Sequence, residues 1–143
     1  MMTEEDLLSD ISNALAAGSY KNDVRLAAII SLGLSELLSH VDNDQKEAIA
    51  VAQNYWNGTQ GDADRLASVH KIAQKRDKYI RAGQARSIES YANRIIWAAL
   101  NTNTPISEFF CEFIIEHALE SGIPLSEVKK VFMKNIPELN ESQ

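Results

Sequence analysis

The sequence predicts an all-α fold: one domain over 1–143, a bundle or array of about seven helices. Three observations carry that expectation. Only three prolines and six glycines occur, and most stand where a helix should start or stop. Between them, apolar residues recur at spacings of three and four, the rhythm of one helix face. Strand signals are nearly absent. No alternating β-branched run is bounded by turn chemistry, and Asn57-Gly58 follows a helical pattern instead of joining two strands.

The elements follow in order. Thr3 reads as an N-cap with Glu4, Glu5 and Asp6 in the first turn; Leu7, Leu8, Ile11 and Leu15 share a face, and Gly18 ends the run. Asn22 opens a helix over 23–41 whose buried face is Leu26, Ile29, Ile30, Gly33, Leu37 and Val41. Asp44 and Glu47 imitate a capping box before Ala48, Ile49, Val51, Ala52, Tyr55 and Trp56, with Gly58 as the stop. After a polar connection, a long run from Asp62 to about Ala82 carries the stripe Leu66, Val69, Ala73, Tyr79 and Ile80. Ser87 caps a fifth helix with Ile88, Tyr91, Ala92, Ile95, Ile96 and Ala99 inward. Thr104-Pro105 reads as an N-cap with proline at the first helical position, and that helix runs to Gly122. Pro124 begins a last helix with Leu125, Val128, Val131, Phe132 and Ile136, closed by Pro137.

Composition narrows the function. Hydrophobic content of 45% and charged content of 24% are ordinary for a globular chain. A domain of this length buries enough surface to need no disulfide or structural metal. The start, Met-Met-Thr-Glu-Glu-Asp, is acidic and is not read as a signal or transit peptide. With no run of 18 apolar residues there is no membrane span, so a cytoplasmic protein is expected. The net charge is −6 and the pI about 5.0, which disfavours nucleic acid as a partner. That charge is uneven. Residues 1–61 balance to −6, residues 62–86 to +4 and residues 87–143 to −4.

Catalytic chemistry finds no foothold. His40, His70 and His117 lie in different helical runs without a partner four residues on, so no metal or other cofactor is expected. The single cysteine, Cys111, sits among Phe109, Phe110, Phe113, Glu108 and Glu112, surroundings that disfavour a thiolate. It reads as a small buried hydrophobe. Phosphate-cradling glycine loops and a nucleophile elbow are missing, and the chain is read as not an enzyme.

Three surface features could bind a partner. The basic segment 65–86 could contact a phosphate backbone, or could instead neutralise the acidic segments within the bundle. Trp56, just before a glycine stop, could fill the core or anchor an interface. Most sharply, Glu108, Glu112, Glu116 and Glu120 stand four apart and form one gently winding carboxylate ridge. Lys129, Lys130 or the basic segment could fold beside the ridge; otherwise it would meet a cationic partner.

The run Glu47-Ala-Ile-Ala-Val-Ala-Gln-Asn-Tyr-Trp-Asn-Gly58, followed by an acid-started basic helix, resembles the alanine-rich helical immunity proteins of bacterial polymorphic toxin systems. Ala48, Ile49, Ala52, Tyr55, Trp56 and Gly58 carry the likeness, which extends over roughly residues 44–100. The resemblance implies a non-catalytic cytoplasmic protein that binds and blocks a cognate toxin, and it transfers no catalytic residue. An acidic surface suits a cationic toxin domain, because complementary fields speed encounter. The alternative expectation is a nucleic-acid-associated regulator using residues 65–86. Self-association is left open by the sequence.

Overall fold

Side-chain oxygens start most of the helices. Thr3, Asp23, Asp42, Ser87 and Ser107 each accept a hydrogen bond from the backbone N–H three residues on, satisfying a donor that the first turn leaves orphaned. The computed structural model describes residues 1–141, and residues 142 and 143 of the expected domain lie outside the described residues. Among the described residues there are helices and no strand. They are α1 (Glu4–Ala17), α2 (Val24–Ser35), α3 (Asn43–Trp56), α4 (Asp62–Arg81), α5 (Ile88–Leu100), α6 (Glu108–Glu120), α7 (Leu125–Asn135) and the single turn α8 (Glu138–Glu141).

The all-α expectation holds, and the differences lie at helix ends. Asp42 with Gln45, not Asp44 with Glu47, forms the capping box of α3. Thr104-Pro105 is not a cap. Asn101 donates to the Thr104 hydroxyl, the Ile106 N–H donates to the Asp23 carbonyl, and α6 starts only after Ser107. The extended stretch ties the α5–α6 loop to the start of α2. The helix expected over 23–41 ends at Ser35, so Leu37 falls outside it and is 41% exposed instead of buried. Pro124 is the N-cap residue of α7, not its first helical residue.

Helix α5 is the centre. It packs against α2, α3, α4 and α6, and its buried face includes Ile95, Ile96, Ala98, Ala99 and Leu100. Two apolar clusters meet along it. The larger joins Leu7, Ile11, Ile30, Leu34, Ile95, Ile114, Phe132 and Ile136, from α1, α2, α5, α6, α7 and the segment after α7. The smaller joins Leu32, Ala48, Ala52, Ile72, Ile96, Ala99 and Leu100. Small side chains at 48, 52 and 99 let α3 approach α5 closely. Gly33 does the same for α2 and α7: a Cβ there would stand 2.9 Å from Val131 Cγ1.

One buried polar chain locks α3, α4 and α5 together. Gln45 Nε2 donates to Asn93 Oδ1 at 3.0 Å, and Asn93 Nδ2 donates to the Ile72 carbonyl at 3.0 Å. Gln45 Oε1 accepts from the Asp42 N–H at 3.1 Å. Each group is both buried and satisfied, the condition under which polar side chains add specificity without a desolvation penalty.

Candidate functional site

The outer helices α4 and α6 flank α5, and hydrogen bonds fix how they run. Arg65 Nη1 donates to the Leu100 carbonyl and Asn93 to that of Ile72, so α4 is antiparallel to α5. Arg94 contacts His117, while Trp97 and Phe113 line the same hollow, so α6 is antiparallel to α5 as well. Helices α4 and α6 therefore run parallel to each other on either side of α5.

On α6 the buried residues are Phe110, Cys111, Ile114, Ile115, His117 and Ala118. At about 100° per residue, Glu108, Glu112, Glu116 and Glu120 fall on the opposite arc. All four are exposed. Glu108 is hydrogen-bonded to the Ser12 hydroxyl of α1. No ion pair engages these glutamates among the described residues: Lys130 turns to Glu127 at 3.2 Å, and the basic segment faces elsewhere.

Aromatic side chains share that arc. Phe109 is 86% exposed and Phe113 39%, and across the groove on α5 Trp97 is 37% exposed. Trp97, Phe109 and Phe113 wall a hollow of about 310 Å³ between α5 and α6, with Asn101, Thr104 and Ser107 at its mouth. A second hollow of about 150 Å³ continues toward α4, bounded by Ile72, Arg76, Arg94, Trp97 and Phe113. From the sequence, Phe109 stands out only as a neighbour of Cys111. The helical wheel carried the missing signal, since in projection Phe109 lies between Glu116 and Glu120 and away from Cys111. Trp97 likewise stands in the polar stripe of Asn93, Arg94 and Asn101.

His117 is 7% exposed, and its Nδ1 lies 2.7 Å from the Phe113 carbonyl. Its Nε2 lies 3.2 Å from Arg94 Nη1. A carbonyl only accepts and a guanidinium only donates, so the ring is neutral with its hydrogen on Nδ1. Burial lowers the His117 pKa, and the Arg94 charge adds to that against the Phe113 carbonyl and the Glu116 and Glu120 charges. Arg94 also donates to the Ala85 carbonyl at 2.7 Å and lies over the Tyr91 ring. His117 thus joins α6 to α5 as a packed, hydrogen-bonded ring. Among the described residues no group of three His, Cys, Asp or Glu is placed to hold an ion. Cys111 is fully buried; burial, with the Glu108 charge, pushes its thiol up to about 12, so it is no nucleophile at neutral pH.

The other two sequence candidates lie apart from this groove. Trp56 is half-buried at the end of α3; its indole N–H donates to the Ala99 carbonyl at 2.8 Å, and its ring meets Tyr55 edge-on. It joins α3 to α5. The basic segment is partly consumed inside the bundle. Lys75 is paired with Asp42 and lies 3.9 Å from Asp44, and Lys71 lies 3.8 Å from Glu47. The stripe expected to pack inward on α4 is not the buried one. Val69, Ala73 and Tyr79 are half-buried and Leu66 and Ile80 are 55% and 53% exposed, while Ser68 and Ile72, outside that stripe, are the buried residues. With Ile72 and Ser68 turned to the core, Leu66 and Ile80 lie about 80–120° round the helix from Ile72 and face outward. Ile88, expected inward on α5, sits in its first turn beyond the reach of the core and is 47% exposed.

No protein-family model, curated protein or solved structure matches this chain, and no helix among the described residues is long and apolar enough to cross a membrane.

Proposed function

We propose that the protein is a non-enzymatic binding protein, most concretely an immunity-type inhibitor that neutralises a cognate bacterial toxin in the cytoplasm. One observation carries the reading: among the described residues Glu112, Glu116 and Glu120 have no counter-ion, and they stand beside the exposed rings of Phe109 and Phe113. Unpaired like charges on one ridge cost stability, while rings in water forgo burial. Both are relieved by a cationic surface that carries an apolar anchor. The resemblance of residues 44–100 to helical immunity proteins supports the same reading. The regulator alternative loses ground because Lys71 and Lys75 are already matched to carboxylates of α3.

The test is co-purification from the native host, followed by assay of the captured protein's own activity with and without added inhibitor. A toxin domain silenced at equimolar ratio supports the reading. A captured protein whose activity is unchanged, or recovery of nucleic acid alone, overturns it. The Glu112→Lys/Glu116→Lys variant then sharpens it: association should slow at least about tenfold at low salt, the scale on which steering charges act.

A further inference from the structure

Helices α3 and α4 are joined by a short loop and run antiparallel, since Lys75 meets Asp42 and Lys71 meets Glu47. Between them lies a hollow of about 150 Å³ that shares no residue with the groove at α6. Asp44 and Glu47, one turn apart on α3, border one end. Asp64, which also borders it, precedes Lys71 by two turns of α4 and so lies about 10 Å along the groove from Glu47. Ala48, Val51 and Ala67 wall the stretch between. Lys71 lies 3.8 Å from Glu47 and Lys75 3.9 Å from Asp44, near enough for attraction and too far for a hydrogen bond. Asp64 meets no cation among the described residues. With Asp42 included, four carboxylates face two ammonium groups.

Solvated acids alone would call for no ligand, but Ser68 does. It follows Asp64 by one turn on the same side of α4, is only 8% exposed, and lines the hollow. A hydroxyl inside a helix commonly returns to its own backbone, and the buried hydroxyls of Ser31, Ser35 and Ser121 each donate to a carbonyl. Among the described residues the Ser68 hydroxyl has no partner, and no unpartnered side-chain oxygen is sealed from solvent, so it opens into the hollow that it lines.

We propose that this hollow binds an aliphatic diammonium ion of four or five carbons. One ammonium bridges Asp64 and the Ser68 oxygen, the other meets Glu47 and Asp44, and the methylenes lie on Ala48, Val51 and Ala67. Ammonium groups only donate, and carboxylates only accept. The acids are strung along a groove and do not converge as metal ligands would; among the described residues no such group of three is placed to hold an ion. In an extended chain of this length the nitrogens stand about 6–8 Å apart, and a charge-assisted hydrogen bond of about 2.8 Å at each end completes the span. The volume is that of about five waters, which suits six or seven bonded heavy atoms. Two positive charges cancel the two carboxylates in excess, and Lys71, whose side chain is 54% exposed, swings aside from Glu47. The inference does not rest on the toxin reading, because the α6 ridge takes no part in it.

The experiment is a titration of the isotope-labelled full chain with 1,4-diaminobutane at low salt, followed by backbone amide shifts, with circular dichroism to verify each variant's fold. Saturable shifts should centre on Ala48, Val51 and Ser68, with a dissociation constant of about 0.1–1 mM. Asp64→Asn should weaken binding at least about tenfold and Ser68→Ala at least about threefold. Glu5→Gln removes as much charge from α1, which packs on α6 and α8, and should bind as the wild type does. Butylamine, with the same chain and one charge, should bind at least about tenfold more weakly. No saturable shift at about 10 mM diamine, far above the expected constant, overturns the proposal. So do shifts scattered over acids elsewhere, Asp64→Asn or Ser68→Ala binding like the wild type, or Glu5→Gln binding as weakly as Asp64→Asn. Butylamine binding as tightly as the diamine also overturns it, since the hollow would then seat a single alkylammonium, such as a partner protein's lysine.

Discussion

Helices α4 and α6 are both outer helices on α5, yet they treat charge in opposite ways. The cations of α4 are turned sideways onto α3: Lys75 onto Asp42 and Asp44, and Lys71 onto Glu47. Burial alone would raise the Asp42 pKa and lower that of Lys75, but their hydrogen bond and mutual attraction win, so the first is lowered and the second raised. The carboxylates of α6 are exposed and meet no cation among the described residues. The difference teaches where to look for function. A charge matched within the fold is a packing device, whereas a row of like charges left unmatched has a cost that the fold does not recover.

The largest contrast is in stability. Asn93→Ala would strand the buried Gln45 Nε2 between α3 and α5 and should destabilise by about 1–3 kcal/mol in urea titration. Glu112→Gln on α6 should change stability by less than about 0.5 kcal/mol. Comparable losses at the two sites would break the distinction between a matched and an unmatched helix.

The pH dependence divides the same way. The His117 pKa is lowered by burial in the folded protein, so the unfolded chain takes up the proton first. Its stabilisation is complete above the unfolded pKa of about 6.5 and is lost as pH falls below it. Asp42 is also lowered, so the α3–α4 contribution persists until pH falls through about 4, where the unfolded carboxylate protonates. Melting temperature should therefore fall in two limbs. His117→Gln should flatten only the upper limb, and Lys75→Met only the lower. A single acid limb unaffected by His117→Gln would sink this assignment.

Much of this organisation was legible in the sequence, and the misreadings have physical causes. Periodicity and caps located the helices because local chemistry determines where a helix can begin. The Thr104-Pro105 cap failed because the Ile106 N–H is taken by the Asp23 carbonyl, a contact 83 residues apart in sequence that no local signal reports. The ridge was legible because i, i+4 spacing survives folding, and its exposure was a matter of which arc the core took. Leu66 and Ile80 are exposed for a tertiary reason: α4 turns Ser68 and Ile72, not the more apolar stripe, toward α3 and α5. The aromatic groove needed two helices and so was invisible to either one alone.

The smallest effect is a gradient along the ridge itself. Glu108 sits in the first turn of α6, where the free N–H groups favour a negative charge, and it has the Ser12 hydroxyl as a partner. Glu120 sits in the last turn, where the carbonyls oppose it, and Glu116 stands one turn before it. The four carboxylates are alike in sequence but unlike in cost. Glu120→Arg should stabilise the protein by about 0.5–1 kcal/mol at low salt, by removing one repulsion and complementing the helix end. Glu108→Arg should destabilise it by about the same amount, and both effects should shrink as salt rises past 0.1 M or so. Thermal melts of the two variants at two salt concentrations decide it. Equal shifts of the same sign would mean that net charge alone governs the ridge, and that its order along α6 carries no energy.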